Sequence, residues 1–229
     1  FRSERIIGRM NANQADDASE SAPRDRLRDA AIETFARLGL GATVRQLASD
    51  AGVTAGLVTH HFGSKDALRQ ACDDEVLRRI RALKEEGIHR SPDEQLAMIG
   101  TLDEQGSTLS YLLRVIRAGD PAATAFLQHA IADAHAYIEA AVAKGSVKPS
   151  RDSWGRARML VLNQFGGMLL HADLAGIDLA DGAAVIEHVA QQQTLPLLEL
   201  YADGLLADRT LFERYLALGE HSPTSKEQP

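Results

Sequence analysis

Residues 43–68, TVRQLASDAGVTAGLVTHHFGSKDAL, leave the surrounding chain little choice of fold. Thr43 followed by Gln46 is a capping box that opens a short helix. Leu47 and Ala48 precede Gly52 at the spacing of two helices joined by a tight turn. The small Ala48 lets those helices cross closely, and Gly52 permits a left-handed backbone between them. Val53 and Val58 are the apolar pegs that hold the second helix on the first. Thr54 can cap that second helix, which offers Thr54, Ala55, Gly56, Leu57, Thr59 and His60 outward. Such a short surface fits a DNA major groove.

The rest of the chain is punctuated for helices as well. Leu27, Ala31, Phe35 and Leu38 share one face of a first helix, stopped by Gly39 and Gly41. Ser64 can cap a fourth helix in which Leu68, Cys72, Val76, Ile80 and Leu83 step by four or three, with Gly87 as its stop. Ser91-Pro92-Asp93-Glu94 is a second capping box with Pro at the first helical position, and Asp120-Pro121 repeats the device. Gly119 and Gly145 sit where helices should stop. Two long helices are expected, from about Asp152 to Ala175 and from about Gly182 to Leu206, the second bent at Pro196, then a short one over Asp208–Leu218. Residues 1–23 and 219–229 read as unstructured tails. With no alternating strand pattern and only 5% aromatic residues, the fold class is all-α.

Composition excludes several function classes. A chain of 229 residues with 45% hydrophobic and 25% charged residues buries a core and is too apolar for disorder. The single Cys72 rules out a disulfide framework or a multi-cysteine zinc site, fits a reducing cytoplasm, and reads as a small core hydrophobe. The best membrane candidate, Met159 to Leu174, is interrupted by Asn163, Gln164, His171 and Asp173, so no membrane span is expected. Phe1 to Met10 lacks the apolar stretch of a signal peptide, and Met10 is a candidate start.

The segment Thr43–Leu68 resembles the TetR family of one-component bacterial repressors, whose signature is T-x-x-x-(I/L)-A-x-x-A-G-V-(S/T)-x-G followed by (Y/H)-F-x-S-K-(E/D)-x-L. The matching residues are Thr43, Leu47, Ala48, Ala51, Gly52, Val53, Thr54 and Gly56, then His61, Phe62, Ser64, Lys65, Asp66 and Leu68. The run LVTHHFGSKDALR is similar to an actinobacterial subgroup. The resemblance implies a three-helix helix-turn-helix domain over 24–70 and a helical effector-binding and dimerisation domain over 71–218. Carried over by position, Thr43 and Thr54 would meet phosphates from helix N-termini, and His60, His61 and Lys65 would meet phosphates too. Ala55 and Gly56 would approach base edges or thymine methyls, and Arg45 would supply a guanine contact. Thr59 stands where the family usually has Tyr. The recognition helix has no Arg, Lys, Asn or Gln, so readout would lean on shape and methyl contacts.

Behind this motif nothing carries over residue by residue. The resemblance implies a homodimer in which the last two long helices form a four-helix bundle, placing two recognition helices about 34 Å apart on a palindromic operator. Val185, Val189, Leu195, Leu198 and Leu205 suit that face, and they equally suit an intrachain core. Tyr111, Phe126, His129, Tyr137, Asn163, Phe165, Met168 and His171 mix aromatic and polar groups as an effector cavity does, although core packing explains each of them too. An apolar or amphipathic small molecule and control of an efflux or membrane gene are what the family implies. His129 and Asp133 share a helix face without a third ligand, so neither metal nor cofactor is expected. No nucleophile elbow, phosphate loop or dinucleotide fingerprint marks an enzyme. The alternative is a helical small-molecule-binding protein or enzyme whose helix-turn-helix is structural.

The net charge of −7 is divided unevenly. Residues 24–90 carry 12 basic and 10 acidic side chains, whereas residues 91–229 carry 10 and 18. The DNA-facing part is mildly basic, and the acidity lies behind it.

Overall fold

The computed structural model describes residues 23–91, 93–94 and 105–218. Within them the chain is helical with no strand, in agreement with the all-α expectation. Helix α1 covers 23–38, followed by α2 (Val44–Asp50), α3 (Ala55–Phe62), α4 (Lys65–His89) and α5 (Gly106–Ala118). Then come α6 (Pro121–Ala143), α7 (Ser153–Ala175), α8 (Gly182–Ala202) and α9 (Thr210–Ala217). Pro23 already belongs to α1; the rest of the expected N-terminal tail, the C-terminal tail and Pro92 lie outside the described residues.

Helix starts follow from side chains that accept the otherwise unpaired first N–H groups. Thr43 accepts from the Gln46 N–H while Gln46 Oε1 takes the Thr43 N–H at 2.8 Å, a complete capping box. Thr54, Ser64, Asp120, Asp152 and Asp181 each accept from the N–H three residues on. Ser91 and Glu94 make the reciprocal pair of the second box.

Two helix ends and one buried face differ from the sequence reading. Helix α4 runs through Gly87 to His89, because Gly87 keeps an ordinary helical backbone and costs only propensity there. Helix α8 ends at Ala202 rather than Leu206, closed by Asp203 and by Gly204 at φ +82°; Pro196 lies inside it without ending it. Leu38 is 43% exposed, since Ile32 and Ala36 complete the buried face of α1 beside Leu27, Ala31 and Phe35.

Helix α6 lies along α7, α5 packs on α8, and α4 packs on α6. One continuous core runs from Leu27, Phe35, Leu47, Val58 and Leu68 to Leu113, Phe126, Ala157 and Val185. Cys72 belongs to it, and burial pushes its thiol pKa far up, as befits a packing residue. Helices α5 and α8 approach closely: a Cβ on Gly182 would stand 2.1 Å from the Gly106 carbonyl oxygen. That oxygen is backbone and cannot turn aside, so Gly182→Ala is expected to cost about 2–3 kcal/mol in urea unfolding. Gly87→Ala, with nothing within 4 Å of the new methyl, should stabilise by up to about 1 kcal/mol.

Candidate DNA-binding interface and effector region

The two helices of the motif are fixed by short-range contacts. Ala48 and Val58 are buried, and the turn between the helices closes with Val53 N–H donating to Ala48 O at 2.9 Å. Gly52 takes φ +67°, the left-handed conformation that the sequence demanded. Asp50 at the end of α2 accepts from Thr34 Oγ1 at 2.9 Å and from Arg37, which ties the motif to α1. No sequence period links Thr34 or Arg37 to Asp50, and this clamp was not anticipated.

Thr43, Arg45, Thr54, Ala55, Gly56, Thr59 and His60 are all exposed, while His61 and Lys65 are half-buried. Their polar groups are not equally free. The Thr43 hydroxyl donates to Gln46 Oε1 at 2.9 Å, and that of Thr59 donates to Ala55 O at 3.2 Å. Thr54 Oγ1 accepts from Leu57 N–H, which leaves its own proton for an outside acceptor. Lys65 Nζ donates to Leu40 O at 2.8 Å and stands 5.9 Å from the centre of the Phe35 ring. It staples the turn after α1 and keeps two further donors. The rings of His60 and His61 meet edge to face with centroids 5.4 Å apart.

Helix α4 carries this head to the helices behind. Glu75, buried, receives Arg78 Nε and Nη2 at 2.8 and 2.7 Å and Arg79 Nε at 2.8 Å. Arg28 and Arg79 also grip Asp29, at 3.0 and 2.7 Å, which locks α1 onto α4. Nearer the start of α4, Arg69 makes a two-point contact with Asp120 at 2.7 and 3.2 Å, and Asp73 accepts from the Tyr111 hydroxyl at 2.7 Å. Arg114 on α5 reaches back to α1, its Nε donating to Ala36 O at 2.7 Å.

The eight residues expected around an effector differ in burial. Tyr111 and Phe126 are fully buried, and the Tyr111 hydroxyl is committed to Asp73. Tyr137, Phe165 and Met168 pack half-buried against the core. His171, half-buried, lies 5.6 Å from the His188 ring. His129 and Asn163 are exposed. Asp133, one turn from His129, pairs instead with Arg81 at 2.7 Å. Among the described residues no three His, Cys, Asp or Glu side chains gather as a metal site, and no helix is long and apolar enough to cross a membrane. Two clefts, of about 220 and 360 Å³, are lined by none of these eight side chains.

Two sequence profiles match the chain: "Bacterial regulatory proteins, tetR family" over residues 27–72, and "Tetracyclin repressor-like, C-terminal domain" over residues 103–207. Over 193 residues it is 41% identical to the HTH-type transcriptional regulatory protein RaaS of Mycobacterium tuberculosis, covering 84% of this chain and 91% of that protein. Among solved structures, a TetR-family protein from Rhodococcus sp. superposes with a TM-score of 0.54 at 20% identity, over 75% of this chain and 98% of that one. FadR from Bacillus subtilis, solved in complex with stearoyl-CoA, gives 0.54 at 19% identity, over 79% and 98%. These two share its fold.

The polar knot beneath the interface implies a pH dependence. Hydrogen bonds from Arg78 and then Arg79 hold the Glu75 carboxyl at about 2, against an ordinary 4.5. A lowered folded-state pKa stabilises the fold above about pH 4.5, and that share is lost as pH falls toward about 2. Glu75→Gln is therefore expected to cost about 2–3 kcal/mol in urea unfolding at pH 7. Its deficit against the wild type should shrink below pH 4.5.

Proposed function

The chain belongs to the TetR family of bacterial regulatory proteins, and on that premise we propose that it is a dimeric repressor released from a palindromic operator by a small apolar or amphipathic effector. That it is a helix-turn-helix transcriptional regulator follows from the family itself. The observation that carries the finer reading is the outer face of α3. Thr54, Ala55, Gly56, Thr59 and His60 are exposed on a short helix whose inner side is pinned by Val58 and Phe62.

In this reading residues 24–70 read DNA and residues 71–218 sense the effector and dimerise. Thr54 and the N-termini of α2 and α3 receive phosphates, joined by His60, His61 and the two spare donors of Lys65. Thr43 contributes through its place at the helix start, since its hydroxyl proton is held by Gln46. Ala55 and Gly56 meet base edges, and Arg45, exposed and making no ion pair among the described residues, takes a guanine. Helix α8 supports the dimer: its first half is core, with Val185 and Val189 at 0% and 7% exposure, whereas Leu195 and Leu198 stand 75% and 51% exposed. Leu162, Leu170 and Leu174 on α7 are exposed as well, so an apolar surface awaits a partner. An effector among Tyr111, Phe126, His129, Tyr137, Asn163, Phe165, Met168 and His171 would be held largely by apolar and aromatic groups, and the similar fold of FadR accommodates stearoyl-CoA. The regulator acts in the cytoplasm, and an efflux or membrane gene is its proposed target.

Gel-shift on DNA upstream of its own gene is the direct test. A specific shift of a symmetric site is expected, and its absence with pure dimer would count against the reading. Arg45→Ala should relax discrimination at one base pair by about 1–3 kcal/mol. Lys65→Met should weaken binding to every sequence and lower the salt slope by about one. For the dimer, the pair Leu195→Asp and Leu198→Asp should yield a folded monomer by light scattering, with operator affinity lost.

A further inference from the structure

The larger cleft, of about 360 Å³, lies where the reading head meets the helices behind it. One wall is the turn between α1 and α2, including Leu40. The other is the C-terminal end of α5, with Arg114, Arg117 and Ala118, together with Ile177 and Asp178 from the α7–α8 connection. Its volume falls at the lower end of ligand pockets, which run from about 300 to 1,000 Å³. Apolar surface from Leu40, Ala118 and Ile177 is therefore set beside two guanidinium groups.

Both arginines keep donors in reserve. Arg114 uses Nε and Nη2 on the carbonyls of Ala36 and Arg37, at 2.7 and 3.4 Å, and touches Asp178 at a long 3.5 Å. Its Nη1 has no hydrogen-bond partner among the described residues. Arg117 presents a single nitrogen, Nη2, to both oxygens of Asp173, and each side chain of that pair is half exposed. Exposed pairs of this kind hold weakly and exchange partners readily. Asp178 does not fill the space: it is 78% exposed and turned to the Ala180 N–H at 2.8 Å.

We propose that this cleft is a binding site for a small monocarboxylate with an apolar body, its carboxylate on Arg114 and Arg117 and its carbon chain on Leu40, Ala118 and Ile177. A planar carboxylate matches the forked donors of guanidinium, and this contact selects against an uncharged ligand of the same length. Because the walls come from both parts of the molecule, the bound ligand bridges them and favours one setting of the head. None of the side chains expected around an effector lines the cleft, so the site is separate from them.

Octanoate, titrated calorimetrically into the full chain, is the probe, with octanol as its uncharged counterpart. Octanoate is expected to bind at least about tenfold more tightly than octanol, a difference attributable to the charged contact. Arg117→Gln removes one contact and Ala118→Phe, at an exposed position, fills the space; each should weaken octanoate at least about tenfold. Saturating octanoate should slow amide hydrogen exchange at residues 36–42 and 114–118 together in the wild type and at neither in Ala118→Phe. No binding up to about 10 mM, a level that fills even a millimolar site, overturns the proposal. So does binding that survives both substitutions, or protection confined to other helices. No arm involves DNA, so the outcome is independent of the operator assays.

Discussion

A buried carboxylate joins the two parts of this molecule. Asp73 has almost no solvent exposure, and its burial raises its pKa, opposed by the Tyr111 hydroxyl and the charge of Arg69. A carboxyl group in such a place is tolerated only while those partners stay in position. Tyr111 belongs to α5, its hydroxyl also lying 3.3 Å from Arg69 O, and Arg69 in turn grips Asp120 at the start of α6. Three helices thus meet in one polar network. Neighbouring residues of α4, Leu68, Cys72 and Val76, are buried in the core that also holds α1. A tilt of the reading head against α5 has to stretch this network or drag α4 with it, which makes α4 the shaft between the two parts.

What was legible in the sequence was local. A capping box needs residues three apart, so Thr43 with Gln46 announced its helix, and the Ser91–Glu94 pair was legible in the same way. The left-handed turn at Gly52 was legible for the same reason. Endings were harder, because a helix stops where its surroundings cease to support it. Gly87, with open space around it, did not stop α4, and the Asp203-Gly204 pair closed α8 early. The pairs that assemble the domains were hidden altogether. Arg69 and Asp120 are 51 positions apart, and Arg114 and Ala36 are 78 apart. Periodicity also records that a side chain is apolar without recording what covers it. Val185 and Leu195 belong to one stripe on α8, yet the first is buried within the chain and the second faces outward. Tyr111, whose hydroxyl is held by Asp73, shows why composition cannot separate the two cases: aromatic and polar character is common to cavities and to buried hydrogen-bonded cores.

The charge distribution then constrains how DNA can be bound. Residues 24–90 are mildly basic by count, but most of that charge is committed within the fold. Arg28, Arg78 and Arg79 surround Glu75 or Asp29, Arg37 is on Asp50, Arg69 on Asp120, and Arg81 on Asp133. On the face of the motif, Arg45 and the spare donors of Lys65 are the cationic groups among the proposed contacts, with the imidazoles of His60 and His61 beside them. Few neutralised phosphates mean few released counterions, and hence a shallow salt dependence and weak attraction to arbitrary DNA. In the proposed dimer, affinity for an operator would then come from fit: helix N-termini on phosphates, small residues against base edges, and two heads held at the spacing of one DNA turn. A regulator built in this way is sensitive to small changes in head orientation, because misplacing one head forfeits contacts that charge cannot replace. That sensitivity gives the short polar links at α4 and α5 their importance for control.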